Sequence, residues 1–387
     1  EAEVQDDLAF YAEQKAQEFA RNHFSLAEYY HKVAATIRGR DLLGFLASRN
    51  VLPKYGFPTD VVALRTDHVN QSGALDLDLQ RDLRMAVAEY APGSSVVAAK
   101  HVWQSRGLHV LPGKSWQSVS FAVCPDCQRF HRWTAEEIRF CQACGASLRG
   151  GRGPKRRGTF LKPEFGFVAG RDVQPTGEER PERLYASQVY FAEYAEGPAS
   201  DAYDRVEPLS RDGREVRYHY SRYGRLIVVN TGRGNGFRVC TRCGWAEPAG
   251  WAPSRRNDSH EHPRTGRPCG GRIEPYHLGH EFLTDVLELR FSAPLGVPAG
   301  AEDLWESVLA ALLEGASRAL DIPRDDLGGT LYPYWREAPP GLVLYDNVPG
   351  GAGYVRHVAD HLETVVRAAH RVAADCTCGE ETSCYEC

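Results

Sequence analysis

The chain has 387 residues, enough for two or three domains, each able to bury a core of its own. Hydrophobic residues make up 42% and charged residues 25%, the balance of an ordinary globular protein, and no run approaches the roughly 18 apolar residues a membrane span needs. Net charge is −5, and the opening EAEVQDDLAF is acidic where a secretory signal is basic. The chain starts without Met and stops on Cys387, the last residue of a motif, so we expect part of a longer polypeptide.

Residues 5–50 read as helical, the run ending on Leu42, Leu43, Phe45 and Leu46. VLPKYGFPTDVVAL (51–64) reads as a loop punctuated by Pro and Gly that leads into a strand. Residues 80–116 mix a short helix, the turn Ala91-Pro92-Gly93 and strands.

The cysteines come next. There are eleven, and ten fall into close pairs: Cys124/Cys127, Cys141/Cys144, Cys240/Cys243 and Cys384/Cys387 as CxxC, and Cys376/Cys378 as CxC. A disulfide framework has no reason to pair cysteines this way, whereas one tight turn offers a tetrahedral metal two thiolates about 3.5–4 Å apart. Glycine after the second cysteine, as in Cys144-Gly145 and Cys243-Gly244, suits such a turn. We therefore expect zinc, three ions in all, in a reducing cytoplasm. The first site is Cys124, Cys127, Cys141 and Cys144, a zinc ribbon with thirteen residues between the pairs.

A stretch rich in Gly, Arg and Pro near 149–182 reads as a boundary, and a β-rich section with the second site follows. That site has Cys240, Cys243 and the odd cysteine, Cys269, and needs a histidine. His260 and His262 both stand in Ser-His-Glu-His-Pro; spacing does not choose between them, and His260 is taken as the expected ligand. FLTDVLELRF (282–291) alternates like a strand. Leu304, Val308, Leu312, Ala316 and Leu320 then mark an amphipathic helix.

Leu342 to Tyr345 reads as a buried strand that runs into Asp346-Asn-Val-Pro-Gly350-Gly-Ala-Gly353, and Val355, Val358, Leu362, Val365, Val366 and Ala369 line one face of a long helix. Strand, glycine turn and helix could form a phosphate loop. A Pro349-Gly350-Gly351 turn equally lets a helix pack closely on its sheet, and the Asp346 carboxylate would repel a phosphate, so packing is the preferred reading. The third zinc site is Cys376, Cys378, Cys384 and Cys387, four thiolates within twelve residues.

Four-thiolate sites are closed shells that act as folding staples, whereas a catalytic zinc keeps a position open for water. Other catalytic patterns fail. Gly107 to Ser115 has five residues between the glycines where a P-loop has four. His277-Leu-Gly-His280-Glu281 fits neither order of the zinc-protease helix, and Pro275 and Gly279 oppose a helix there. His260-Glu261 lacks the H-x-E order of the zinc deaminases, and its cysteines come first. No catalytic residue is assigned.

Charge is unevenly placed. Residues 129–162 hold nine Lys/Arg against two Asp/Glu, and residues 205–272 hold fourteen Arg against six acids, so basic density surrounds the first two zinc elements. Arg149, Arg152, Lys155, Arg156 and Arg157 form a cationic loop, while Arg217, Arg222 and Arg225 alternate with Tyr218, Tyr220 and Tyr223. Such surfaces suit nucleic acid, with Arg on phosphates and Tyr on bases.

LYDNVPGGAGYV (344–355), the helix after it and the CxC…SCYEC ending resemble the MrfA-type zinc-binding (MZB) domain found at the C-terminus of many DEAD/DEAH-box helicases. LASRNVLPKYGFPTDVVAL (46–64), AEYAPGSSVV (88–97) and LGHEFLTDVLELRF (278–291) resemble segments that precede it in one large-helicase subfamily. The resemblance implies one zinc on Cys376, Cys378, Cys384 and Cys387. It also implies RecA-like motor domains that this chain lacks. Related zinc domains occur in DrmB-like proteins of DISARM anti-phage systems, which partner a separate helicase.

The expected fold is therefore α+β: a zinc ribbon, two further zinc-stapled elements and a C-terminal α/β MZB-like domain. The expected divisions are 1–116, helical then mixed α/β; 117–160, the ribbon; 161–280, β-rich and basic with the three-cysteine, one-histidine site; and 281–387, the MZB-like domain. The expected role is that of an accessory region of a superfamily 2 DNA helicase in repair or phage defence, holding nucleic acid, DNA rather than RNA, with motor domains in cis or a helicase subunit in trans and no membrane contact. The alternative is a non-catalytic scaffold subunit of a defence complex that docks a separate helicase.

Overall fold

The computed structural model describes residues 2–38, 60–69, 74, 77–149, 157–177, 187–195, 202–208, 215–250, 259–291, 302–332, 339–348 and 350–378. They fall into two compact units, Glu1–Thr59 and Asp60–Cys387. No helix among the described residues is long and apolar enough to cross a membrane.

The described residues of the first unit form a helical hairpin, α1 (Ala2–Ala20) and α2 (Phe24–Arg38), closed on Tyr11, Ala27, Tyr30 and Ala34. The helical run expected over 5–50 is broken at Asn22, whose φ of 62° ends the first helix. Leu42, Leu43, Phe45 and Leu46 lie outside the described residues.

In the second unit the strands are, in chain order, β1 (Val61–Arg65), β2 (Gln80–Asp82), β3 (Ser95–Ala98), β4 (His101–Leu108), β5 (Ser118–Val123), β6 (Phe130–Trp133) and β7 (Arg157–Leu161). β8 (Phe167–Ala169), β9 (Gln174–Pro175), β10 (Gln188–Tyr194), β11 (Ala202–Pro208), β12 (Glu215–Asn230) and β13 (Phe237–Cys240) follow. The last are β14 (Ala246–Pro248), β15 (His260–Glu261), β16 (Pro268–Cys269), β17 (Ile273–Phe291), β18 (Leu327–Tyr332) and β19 (Gly341–Asp346). Helix α3 (Leu83–Glu89) follows β2; α4 (Glu302–Leu320) precedes β18; α5 (Tyr354–Asp360) and α6 (Leu362–Ala374) follow β19.

These strands make a six-stranded sheet in the order β2-β1-β8-β4-β3, with β9 on β4, and an eleven-stranded sheet along β10-β12-β17-β7-β5-β6. β11, β13 with β14, and β19 with β18 branch from the long central pair β12–β17. Within the stretch near 149–182, expected as a boundary, the described residues contribute β7 to the large sheet and β8 to the small one.

The centre of the fold is β17, antiparallel to β12 from Leu278 to Phe291. Its upper part turns Leu278, Phe282 and Val286 into a core shared with Leu64, Trp103, Leu108 and Phe167 of the small sheet and Leu83, Ala86 and Val87 of α3. Its lower part turns Leu287 and Leu289 towards α4, α5 and α6, against Leu312, Ala316, Val355, Val358 and Val365. Covered on both faces, β17 is buried without a break from Thr284 to Leu289, and the expected in-and-out alternation is lost there. At the bulge between Ser221 and Gly224 the two strands come so close that a Cβ on Gly224 would lie 2.1 Å from Val286 Cγ1.

Two helices differ from expectation. The buried stripe of α4 is Trp305, Leu309, Leu312, Leu313 and Ala316, and Leu304 faces solvent. The long C-terminal helix breaks at His361, where φ is −127°, into α5 and α6, which both keep their apolar face on the core.

Candidate metal centres and their surroundings

Strand β5 delivers Cys124 and β6 leaves three residues after Cys127, so the first cysteine pair sits in the bend of a hairpin. The Gln128 N–H bonds the Cys124 carbonyl at 3.1 Å, and the amides of Asp126 and Cys127 each lie 3.4 Å from Cys124 Sγ. The second pair repeats the pattern. The Gly145 N–H bonds the Cys141 carbonyl at 2.9 Å, and the amides of Ala143 and Cys144 lie 3.4 and 3.5 Å from Cys141 Sγ. The four ligand atoms lie within 4.8 Å of one another, with Cys124–Cys144 and Cys127–Cys141 Sγ distances of 3.5 Å.

Burial pushes the thiols of Cys124 and Cys127 up. Packed this closely they cannot ionise together unless a cation shares the charge, and amides aimed at sulfur stabilise thiolates once it does. The residues therefore fit a tetrahedral zinc. Sequence reasoning missed His131, buried on β6 with Nε2 3.2 Å from Cys141 Sγ. The HisxTrp pair in the return strand carries no metal-ligand spacing that would have singled it out.

The second centre is built from two elements. The turn after β13 carries Cys240 and Cys243, and Gly244, at φ 76°, closes it with its N–H on the Cys240 carbonyl at 3.0 Å. The hairpin β15–β16 carries His260 and Cys269 as directly paired residues. His260 Nε2 stands 3.2 Å from Cys243 Sγ, and Cys240 Sγ stands 4.0 Å from Cys269 Sγ. All four ligand atoms again lie within 4.8 Å. His260 is held by the Trp245 ring stacked on it, centroids 4.9 Å apart. The hairpin register places His260, rather than His262, beside the three cysteines. His262 Nδ1 instead accepts the Arg264 N–H at 3.1 Å inside the turn.

This second centre also joins the two sheets. β13 pairs with β17 of the large sheet, while the Gly244 carbonyl accepts the Leu108 N–H at 2.8 Å from β4 of the small one. Arg264, on the same hairpin as His260, reaches Asp67 beyond β1 at 3.0 Å. His68, Arg264 and Arg65 hold the Asp67 carboxyl well below its ordinary range.

Of the third expected centre, Cys376 and Cys378 follow α6 with their sulfurs 3.2 Å apart, and Cys384 and Cys387 lie outside the described residues. The glycine turn before α5 is already occupied by an anion of the chain itself. The Asp346 carboxylate accepts the N–H groups of Ala352, Tyr354 and Val355 at 2.6, 3.1 and 2.9 Å. A phosphate would compete with that carboxylate for the same amides.

The candidate nucleic-acid residues are distributed as follows. Arg149 and Arg157 converge with Arg139 on Glu137; Arg149 lies 2.6 Å and Arg139 3.2 Å from it. Arg225, with Arg132, sits between Glu193 and Glu281. Arg222 approaches the buried Asp285 at 3.9 Å, and Arg217 is exposed on β12. Arg152, Lys155 and Arg156 lie outside the described residues.

Residues 308–387 match the family described as MZB: MrfA Zn-binding domain, so the expected resemblance is borne out there. The chain is 25% identical over 433 residues to the Druantia protein DruE of Escherichia coli (strain UMEA 4076-1), an alignment that covers 96% of this chain and 22% of DruE. It thus spans about a fifth of that relative's length. Among solved structures it is similar to the DUF1998 helicase MrfA bound to DNA, at 14% identity over 78% of this chain and 28% of that one with a TM-score of 0.35. For MrfA bound to DNA and AMPPNP the values are 13%, 58%, 23% and 0.24.

Proposed function

We propose that this chain is the zinc-stapled accessory region of an ATP-dependent superfamily 2 DNA helicase, and that it holds or guides nucleic acid in phage defence or DNA repair. The observation that carries the reading is the similarity to DruE, which runs through 96% of the chain and so includes both metal centres as well as the MZB domain. The motor stands in cis or in a separate subunit, in the cytoplasm, and DNA is favoured over RNA as the ligand. A third zinc on Cys376, Cys378, Cys384 and Cys387 belongs to the same reading.

The geometry supports a positioning role. In the two described centres four side chains would hold each zinc, which leaves no open position and makes the metal a source of rigidity. Cys124, Cys127, Cys141 and Cys144 would fix the ribbon; Cys240, Cys243, His260 and Cys269 would fix the joint between the sheets. Arg149, Arg152, Lys155, Arg156, Arg157, Arg217, Arg222 and Arg225 would then present charge from a firm base.

A second reading, a scaffold subunit that docks a helicase without touching nucleic acid, is favoured by the carboxylates that already answer Arg149, Arg157 and Arg225. Binding of labelled single- and double-stranded oligonucleotides from 50 to 300 mM salt separates the two. If several Arg meet phosphates, log K falls with log salt by roughly 0.7–0.9 per contact, for a slope of about −3 or steeper. Binding that ignores salt, or no binding at all, gives the function to the scaffold.

A further inference from the structure

Phe140 is the residue in the ribbon that its fold leaves unexplained. The hairpin 137–149 buries Leu148, and its Ile138, with Trp133 of β6, packs against the cysteines of the first centre. Phe140 stands next to the buried ligand Cys141 yet keeps 64% of its surface in water. Its backbone is locked: Phe140 bridges Ser147, the Leu148 N–H bonds the Arg139 carbonyl at 2.9 Å, and the Cys141 N–H bonds the Ala146 carbonyl at 2.8 Å. The ring is thus displayed from a fixed frame rather than stranded on a loose loop.

The same hairpin displays charge. Arg139, Arg149 and Arg157 all reach the carboxylate of Glu137, and the Arg157 guanidinium also lies 5.5 Å from the centre of the Trp133 ring. Hydrogen bonds from Arg157 and Arg149 hold the Glu137 carboxyl down to about 2, so the group carries three positive charges against one negative throughout the neutral range. Arg139 and Arg149 remain 61% and 55% exposed. One carboxylate gathers three guanidiniums, those of Arg139 and Arg149 facing solvent and that of Arg157 half-buried over Trp133.

We propose that Phe140 is a base-stacking platform for single-stranded nucleic acid, with Arg139, Arg149 and Arg157 on the neighbouring phosphates. The inference rests on the nucleic-acid reading above and gives it an address. An exposed aromatic ring beside guanidiniums is the combination that binds single strands without sequence preference: every base has a face to stack, and every nucleotide brings one anionic phosphate. Zinc adds the rigidity, because the ring's neighbour Cys141 is a ligand.

The test compares a labelled oligo-dT with an oligomer of the same length and charge made of abasic sites. For the wild-type chain, oligo-dT binds more tightly. Phe140→Ala and Phe140→Leu should weaken oligo-dT binding roughly 5- to 100-fold, the range for loss of one stacked base. They should leave abasic binding, the salt slope and zinc per chain unchanged, and Phe140→Trp should bind oligo-dT at least as well as wild type. Arg149→Ala should weaken both oligomers and flatten the salt slope. Wild-type affinity for oligo-dT in both Phe140 variants, or equal losses on the two oligomers, overturns the platform while leaving the nucleic-acid reading in place. A wild-type chain that binds neither oligomer overturns both.

Discussion

Asp285 and Asp346 lie on neighbouring strands beneath the start of α5, and both are buried. Asp346 has three backbone donors to itself, whereas Asp285 has the Tyr220 hydroxyl at 3.2 Å and the Arg222 guanidinium at 3.9 Å. Burial first, and the charge of Asp346 second, push the Asp285 carboxyl up to about 6. A carboxyl raised in the folded state binds its proton more tightly there than in the unfolded chain. Its contribution to stability is therefore present below the unfolded value of about 4 and is lost as pH rises through about 6. Asp285→Asn should remove that slope. In denaturant melts at several pH values we expect the variant to match wild type near pH 4 and to exceed it by about 2–3 kcal/mol at pH 7.5. Parallel curves for the two proteins would mean that Asp285 is ionised in the fold at no cost.

The hairpin β15–β16 shows what an element contributes. It is two residues long on each side, yet by pairing His260 with Cys269 it places an imidazole and a thiolate side by side to face the Cys240–Cys243 turn. His262 is one alternation away and shares the parity of His260, but it falls in the turn and is used there as a hydrogen-bond acceptor. Elemental analysis should find one zinc per chain fewer in His260→Ala than in wild type, with no loss in His262→Ala. The reverse pattern would mean that the register of this hairpin is wrong. The glycine turn before α5 makes a similar point. Gly351, at φ 78°, has no room for a Cβ beside the Asp285 carboxylate, 2.3 Å away. The close approach of this turn to β17 thus requires glycine at 351.

At the scale of the molecule, the second cysteine–histidine cluster lies where the two sheets are joined, and zinc in the first cluster would stiffen the far edge of the larger sheet at β5–β6. A structural zinc is worth on the order of 10 kcal/mol of apparent folding energy, comparable to the whole stability of a typical domain. Removing zinc with a strong chelator should therefore lower the thermal midpoint of the 60–387 unit by more than about 10 °C, with loss of near-ultraviolet circular dichroism, and added zinc should restore both. A midpoint unmoved by complete metal removal would show that the apolar core alone holds the sheets together.

Much of this protein was legible in its sequence, because the signals were local. CxxC followed by Gly describes a turn and two ligands within five residues. The run LVLYD (342–346) carries its burial in its composition, and helix period marked α4 and the C-terminal helices. What the chain could not show by itself were relations across distance. Spacing left His260 and His262 equal until the pairing with Cys269 separated them. Basic residues between 149 and 225 looked free because their partners, Glu137, Glu193 and Glu281, come from other turns and strands. His131 and Asp285 look like ordinary strand residues, and only the fold sets one against a thiolate and the other against a second carboxylate. Ligand type and turn geometry are properties of a few neighbouring residues, so sequence determined them. Partner choice, burial and ionisation depend on which surfaces meet, and those only the tertiary structure decided.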